Sequence, residues 1–289
     1  MPDTKFLEAA RAEGRVRVAL VSHEGDVLLR ISQPPDLTLS ELMPIVDNFG
    51  LVISDEWAKD NVDGEGAIDT FRVARVPGLT LEQVVERSAR LTAGLEAVFE
   101  KKMASDPLNK LVLRGNLTWE EVDLARALVG YAKQIKLAHL MSKVQEILVN
   151  QSAAVAALIG LFHAKFDPKV SSDRAAAIGL AAAAVEEELS RIPTVDEDFV
   201  LRFLLNLIEA SLRTNFYRTD RIFHYISFKV DHAKIRHIPL PRMMVEIYVH
   251  HYEMEGLHIR GGPIARGGQR YSDRADFRTE ILGLVTTQM

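Results

Sequence analysis

Residues 15–31 read RVRVALVSHEGDVLLRI, and this stretch predicts a β-hairpin near the start of the chain. Apolar and polar side chains alternate from Arg15 to Ile31 on both sides of the short segment between His23 and Asp26. Such alternation is typical of strands with one buried face, and Gly25 provides the backbone freedom that a tight turn requires. The sequence therefore predicts two antiparallel strands that meet at Gly25.

The segments after this hairpin complete a small module of mixed structure. Apolar residues recur at helical spacing from Leu39 to Phe49, with Thr38 or Ser40 as the candidate N-cap. Strands are predicted over residues 51–56 and 67–73. Two strands, a helix and two further strands within about sixty residues predict an α+β fold of the ferredoxin-like kind, with the helix packed on an antiparallel sheet.

A helical block follows the break at Pro77-Gly78. Helical spacing of apolar residues predicts helices over residues 80–102, 119–137, 141–148, 153–166, 172–192 and 199–212. Thr80 with Gln83, and Thr118 with Glu121, have the spacing of capping boxes. Residues 225–230 and 244–250 alternate as strands do, which predicts a further sheet-based domain that begins near residue 199.

Composition limits the classes of partner. The chain has 289 residues, of which 47% are hydrophobic, and a formal net charge of −5, so it has no overall attraction for nucleic acid or an acidic membrane. It contains no cysteine, which excludes disulfides and thiolate metal sites. No signal pattern is found at the start, and the longest apolar run, residues 175–185, is too short to cross a bilayer. We expect a cytoplasmic protein.

Three histidines close together in the sequence raise the question of a metal site. His250 and His251 are adjacent on a predicted strand, so their side chains point to opposite faces, and His258 could join one of them only if the backbone doubled back. No carboxylate stands at a compact ligand spacing. The sequence therefore predicts no metal site.

The last thirty residues carry the chemistry. Two Gly-Gly pairs lie there among five arginines: Gly261-Gly262 and Gly267-Gly268, with Arg260, Arg266, Arg270, Arg274 and Arg278. One interpretation is a pair of tight hairpin turns. Phosphate binding fits poorly, because neither the dinucleotide fingerprint nor the Walker pattern is present. The other interpretation is carboxylate recognition by Arg266, Arg270 and backbone amides, and the residues alone favour it no more than the turns.

The terminal motifs also carry a family resemblance. GPIARGGQRYSDR, residues 262–274, and DFRTEILGLV, residues 276–285, resemble the signature of the large bacterial NAD-dependent glutamate dehydrogenases, the very long-chain class. Upstream, LSELMPIVDNFGL at 39–51, RTNFY at 213–217 and ISFK at 226–229 resemble the same family in the same order. The resemblance covers nearly the whole chain.

This resemblance implies a division into three parts. Residues 1–76 would form an ACT-like regulatory α+β module, residues 77–198 a helical connecting block, and residues 199–289 the truncated start of the α/β catalytic domain that binds the substrate. The family's NAD domain, catalytic lysine and catalytic aspartate would lie beyond residue 289. The implied expectation is that this chain alone is inactive, with no catalytic residue and no NAD site of its own.

The implied reaction is the oxidation of L-glutamate by NAD and water to 2-oxoglutarate, ammonium and NADH. Arg266 matches the position at which smaller glutamate dehydrogenases place a lysine for the distal carboxylate, and Gln288 matches a glutamine that helps to bind the α-carboxylate. The expected substrate-binding residues are Arg266, Gly267, Gly268, Arg270 and Gln288. Tyr271 stands where the family usually has Trp, and an extra residue between Arg274 and Asp276 leaves the roles of Asp273 and Arg274 open.

The resemblance further implies a small-molecule effector at the ACT-like module and a homo-oligomeric full-length enzyme. A different class of function is the alternative: a stand-alone effector-binding or subunit-assembly protein in which the dehydrogenase motif is vestigial.

Overall fold

The computed structural model describes residues 3–33, 37–60, 66–137, 139–170, 173–220, 222–236, 238, 240–262, 267–274 and 277–287. The chain divides into two compact units, residues 1–122 and 123–289. The predicted three-part division, with boundaries at residues 76 and 198, stays a prediction.

The first unit contains an antiparallel sheet. Its strands are β1 (Arg17–His23), β2 (Asp26–Gln33), β3 (Val52–Asp60) and β4 (Ala67–Arg75), in the order β1-β2-β4-β3. The predicted hairpin is confirmed: His23 pairs with Asp26, and the two residues between them have positive φ, 50° at Glu24 and 89° at Gly25. Two positive φ angles in a two-residue loop match the right-handed twist of the flanking strands.

Helices pack around this sheet. They are α1 (Asp3–Glu13), α2 (Leu39–Asn48), α3 (Leu81–Glu86), α4 (Ser88–Phe99) and the short α5 (Leu111–Arg114), which follows a 3-10 helix at Pro107–Lys110. Phe6 of α1 packs on Ile68 and Ala19. Leu29 and Phe71, which point to the opposite face, are fully buried. The predicted α+β class is confirmed, whereas the ferredoxin-like, ACT-like kind stays a prediction.

Local capping signals begin several helices where the sequence predicts them. Thr38 caps α2, and its backbone N–H donates to the Glu41 carboxylate at 2.9 Å. The Thr80–Gln83 box begins α3, and the Thr118–Glu121 box begins α6 (Trp119–Gln134). The helix predicted over residues 80–102 is instead two helices, because Arg87 leaves helical geometry at φ −94° and ψ 9°.

The second unit combines helices with a larger sheet. Its further helices are α7 (Met141–Asn150), α8 (Ser152–Phe166), α9 (Arg174–Leu189), α10 (Val195–Ala210) and α11 (Phe277–Thr286). Its strands are β5 (Ser211–Thr214), β6 (Ile226–Asp231), β7 (Val245–His250), β8 (Glu255–Arg260) and β9 (Gly267–Ser272), in the order β5-β6-β7-β8-β9. Each neighbouring pair is antiparallel. The five described strands thus form a wholly antiparallel sheet, and the α/β character expected for the catalytic domain stays a prediction.

Among the described residues, no single helix has the length and apolar composition needed to cross a bilayer. The pair Met141–Asn150 and Ser152–Phe166 reaches that composition only when the two helices are taken together, and they are bent by 90°.

Gly130 allows α6 to lie close to β7 and β8. A Cβ atom at this position would stand 2.2 Å from the Tyr248 hydroxyl and 3.0 Å from Glu255 Oε1. We expect Gly130→Ala to lower the free energy of unfolding by about 1–2 kcal/mol, because overpacking outweighs the gain of about 1 kcal/mol in helix propensity. Urea denaturation measures this change.

The matched control is Gly160→Ala on the exposed side of α8, where an added Cβ meets nothing within 4 Å. This variant should be more stable than the parent by about 0.5–1 kcal/mol. Equal effects of the two substitutions would contradict the close approach at Gly130.

Candidate carboxylate-binding site

Strand β9 and helix α11 carry the described part of the predicted site. Gly267, Gly268 and Arg270 lie on β9, at the edge of the sheet as described, and α11 packs against this strand. Arg266 and Gln288, the other two predicted substrate-binding residues, lie outside the described residues. The structure thus brings together the second Gly-Gly pair and Arg270.

The second Gly-Gly pair lies within a strand, not in a tight turn. Gly267 pairs with Arg260, and a Cβ atom on Gly267 would stand 2.0 Å from the backbone oxygen of Ile259. A Cβ atom on Gly268 would stand 2.7 Å from Cγ2 of Ile281 on α11. Close packing therefore requires glycine at both positions, independently of any ligand.

Arg270 and Arg274 share one carboxylate. Arg270 Nη1 and Arg274 Nη2 contact the two oxygens of Glu280 on α11, the latter at 2.7 Å. Their side chains are 40% and 57% exposed, and that of Glu280 is 33% exposed. Glu280 thus bridges two guanidinium groups that both remain in contact with water. Exposed ion pairs of this type are weak and exchange with competing anions.

Tyr271 lies on the opposite face of β9 from Gly268 and Arg270. It pairs with Gly256 of β8, and its ring covers that glycine so closely that an added Cβ would stand 2.7 Å from the ring. The Gln269 amide donates to the Tyr271 hydroxyl at 3.0 Å. The aromatic residue at this position therefore stabilises the β8–β9 pair.

A buried carboxylate lies two strands away from Gly268, on the same face of the sheet. Glu246 of β7 is fully buried and accepts hydrogen bonds from Arg278 Nη2 at 2.7 Å and from the Tyr131 hydroxyl at 2.8 Å. His232 Nε2 lies 2.8 Å from its Oε1. Because His232 Nδ1 accepts the backbone N–H of Met243 at 2.9 Å, the ring proton belongs on Nε2, where it faces the carboxylate.

These donors determine the charge state of Glu246. Burial alone raises the pKa of a carboxyl group, but the hydrogen bonds from His232 and Arg278 outweigh burial and hold the pKa of Glu246 below its ordinary value. Burial, together with the adjacent Glu246 charge, raises the pKa of Tyr131 well above its ordinary value. Tyr131 therefore stays a neutral donor to an ionised carboxylate.

A second buried carboxylate lies at the other end of β7. Asp123 of α6 contacts His250 Nε2 at 3.1 Å, His224 Nε2 at 2.9 Å and Arg126 Nη1 at 2.7 Å. Burial opposes its ionisation, but the charge of His250 and the hydrogen bonds from both histidines hold the pKa of Asp123 far below its ordinary range. His250 and His224 thus both turn their Nε2 atoms to the Asp123 carboxylate, and among the described residues no group of His, Asp or Glu side chains has an arrangement that could hold a metal ion.

The pKa of Glu255 on β8 is shifted upward, opposite to the pKa values of Glu246 and Asp123. Burial raises its pKa, and the hydrogen bond from the Gln134 side chain at 2.6 Å only partly opposes this rise. The neighbouring Tyr248 is fully buried, and burial followed by the Glu255 charge raises its pKa well above the ordinary value. One face of the sheet therefore holds carboxyl groups with pKa values shifted in both directions.

Sequence reasoning did not single out Glu246 or Glu280, and it named Arg278 only as one of the five terminal arginines. A usable signal was present at Glu246, which alternates in phase with Tyr248 and His250 along β7. A polar residue in each of these positions indicates either a solvated face or a paired buried one, and only the tertiary structure decides between the two.

Comparisons with known proteins agree on one family. A family model described as "Bacterial NAD-glutamate dehydrogenase, catalytic domain" matches residues 184–289, and one described as "Glutamate dehydrogenase, helical motif 3" matches residues 103–168. Three curated relatives are each named NAD-specific glutamate dehydrogenase. The chain is 37% identical over 266 residues to the protein of Mycobacterium tuberculosis, 33% over 258 residues to that of Halomonas elongata, and 34% over 262 residues to that of Pseudomonas aeruginosa.

Each match covers most of this chain but only a small part of the relative. Each alignment covers 87% of this chain but only 16% of the relative. The chain therefore corresponds to one segment of much longer proteins.

Gly267 should tolerate no side chain. We expect Gly267→Ala to lower the free energy of unfolding of the second unit by about 1–3 kcal/mol, because the added Cβ would overlap a backbone oxygen that cannot rotate away. Hydrogen exchange of the β8 and β9 amides measures the effect. Gly262→Ala, where a Cβ meets nothing within 4 Å, is the control and should exchange like the parent.

Acid should destabilise the second unit through Asp123 and Glu246. Both have pKa values below those of the unfolded chain, so their stabilising contribution is present above about pH 4 and is lost as the pH falls toward the folded pKa values. We expect the free energy of unfolding, measured by urea denaturation, to fall from about pH 5 to pH 3. Asp123→Asn should flatten this slope.

The control for this slope is Asp196→Asn, which removes a carboxylate that is 75% exposed. Its pH dependence should follow that of the parent. If the free energy of unfolding of Asp123→Asn falls with pH as steeply as that of the parent, Asp123 does not cause the loss of stability in acid.

Proposed function

We propose that this chain, which belongs to the bacterial NAD-specific glutamate dehydrogenase family as a segment of such an enzyme, supplies the carboxylate-binding part of its substrate site. The reaction would be the oxidation of L-glutamate with NAD and water to 2-oxoglutarate, ammonium and NADH. The names of all three relatives support this proposal, and they do not favour the stand-alone binding protein.

One observation carries the proposal. A half-exposed guanidinium, that of Arg270, lies on an edge strand two residues after the Gly267-Gly268 pair, and it shares the Glu280 carboxylate with Arg274. Guanidinium groups bind carboxylates through two parallel hydrogen bonds, and glycines leave the neighbouring backbone open to a ligand. Glutamate and 2-oxoglutarate each carry two carboxylates, so such an edge suits either compound.

The proposed roles follow the family resemblance. Arg266 would hold the distal carboxylate, Gln288 would help to hold the α-carboxylate, and Arg270 with the Gly267-Gly268 backbone would complete the site. These residues would bind and orient the substrate, a positioning effect that can lower a barrier by several kcal/mol. Reaction chemistry itself would come from residues outside this chain.

NAD would accept the hydride in the enzyme, but its site is assigned to no residue here. The described strands are antiparallel, and the chain has no dinucleotide fingerprint, so the described residues do not fit a nucleotide of this kind. The proposal therefore gives this chain a role in binding the substrate and assigns it none in binding NAD.

The proposal extends to the organisation of the chain. Residues 1–76 would be an ACT-like module that binds a small effector, residues 77–198 a helical connecting block, and residues 199–289 the substrate-binding domain. The helical-motif match at 103–168 and the catalytic-domain match at 184–289 support the order of the last two. A cytoplasmic location and a homo-oligomeric enzyme complete the proposal.

Two single substitutions test the site. Arg266→Ala and Arg270→Ala should each weaken binding of 2-oxoglutarate to the chain roughly ten- to hundredfold, because a charge-assisted hydrogen bond contributes about 1.5–3 kcal/mol. Amide chemical shifts followed during titration of the ¹⁵N-labelled chain measure the affinity.

The matched control is Arg213→Ala, which removes the same charge from β5 at the other end of the sheet. This variant should bind like the parent. Parental affinity in both Arg266→Ala and Arg270→Ala would refute the proposed site.

A further inference from the structure

We propose that Arg278 and Glu246 are positioning residues for the substrate site, and that their buried ion pair holds α11 and β9 in the geometry that binds a carboxylate. This inference rests on the proposed function, because it explains how that same site keeps its shape.

The first step is the position of the pair in the sheet. Glu246 of β7, Ile259 of β8 and Gly268 of β9 are direct neighbours in one cross-strand row. Strands in a sheet lie about 4.8 Å apart, so Glu246 is about 10 Å from the backbone of Gly268. Helix α11 lies over Gly268, because Ile281 occupies the space that a side chain there would fill. From α11, Arg278 reaches along the row to Glu246.

The second step is the completeness of the contact. Arg278 is 2% exposed, and its Nε and Nη2 atoms lie 3.1 Å and 2.7 Å from Glu246 Oε1. The Tyr131 hydroxyl donates to the same carboxylate, and His232 Nε2 lies 2.8 Å from it. A buried ion pair with these contacts keeps one geometry, since loss of either partner leaves an uncompensated charge in the core.

The third step is the opposite side of α11. Residues two apart on a helix point about 200° away from each other, so Glu280 faces away from the direction of Arg278. Glu280 is the residue that contacts Arg270 and Arg274 in partial contact with water. A substrate carboxylate that binds Arg270 competes with Glu280, and the exposed ion pairs then cannot hold the helix. The buried pair is the contact that persists, and it therefore maintains the site while ligand is bound.

The key variant removes both charges together. Glu246→Gln with Arg278→Met leaves no unpaired buried charge, and replacement of a whole buried pair is often neutral for stability. Glutamine at position 246 can still bond with Tyr131 and His232. We expect this double variant to fold with a thermal midpoint near that of the parent, but to bind 2-oxoglutarate at least tenfold more weakly.

Two further variants separate positioning from stability. Tyr131→Phe removes one donor to Glu246 and leaves the Arg278 contact, so it should lose stability yet bind 2-oxoglutarate like the parent. Arg278→Lys keeps the charge without the two-pronged contact, and its affinity should lie between those of the parent and the double variant. All affinities are measured at a temperature at which each variant is fully folded. A folded double variant with parental affinity would overturn the proposal.

A second readout does not depend on ligand binding. Hydrogen exchange of the amides in β9 and α11 should be at least tenfold faster in the double variant, and near the parental rate in Tyr131→Phe. If the parent does not bind 2-oxoglutarate, the proposed function of the chain fails, while faster exchange still supports the positioning role. Parental exchange rates in the double variant would overturn that role whatever the ligand result.

Discussion

The carboxylate of Glu246 is the interaction on which the arrangement of the second unit depends. A lone ionised carboxylate in a protein core costs several kcal/mol, so its burial requires donors at fixed positions. These donors come from α6, from the 3-10 helix at His232–Lys234 and from α11, three segments far apart in the sequence. Because all three must meet one side chain, the placement of any one of them constrains the other two.

Because Glu246 must meet these donors, β7 buries the face that carries its polar side chains. Alternation alone would bury Val245, Ile247 and Val249 and expose the residues between them. In the structure Glu246, Tyr248 and His250 are buried, while the apolar residues are only half-buried. Tyr131, Phe228 and Tyr248 pack as three rings with centroids 5.4–5.7 Å apart. The aromatic surface encloses the polar pairs, and exclusion of water strengthens the hydrogen bonds within them.

Features with local causes could be predicted from the sequence. The first hairpin depends on alternation and on Gly25, and the capping boxes at Thr80 and Thr118 depend on residues three positions apart. Strand β9 was not predicted, because its glycines and polar residues give no alternation of apolar side chains, and β8 was missed although Leu257 and Ile259 alternate with polar residues there. The site was predicted only as a set of residue types. Its partners Glu280, Arg278 and Glu246 are defined by contacts between distant strands and helices, which no short pattern contains.

The Gly267-Gly268 pair connects architecture with chemistry. A backbone open to a ligand was one of two interpretations that the sequence left for these glycines, yet the structure provides a separate reason for each: the Ile259 backbone oxygen lies beside Gly267, and Ile281 of α11 lies beside Gly268. The two explanations are compatible, because the close approach of α11 at Gly268 is also what brings Glu280 to Arg270 and Arg278 to Glu246. A bulkier residue at 268 would displace the helix and thus both ion pairs. The glycines therefore act on the carboxylate site chiefly through the position of α11, and only secondarily through their own exposed backbone.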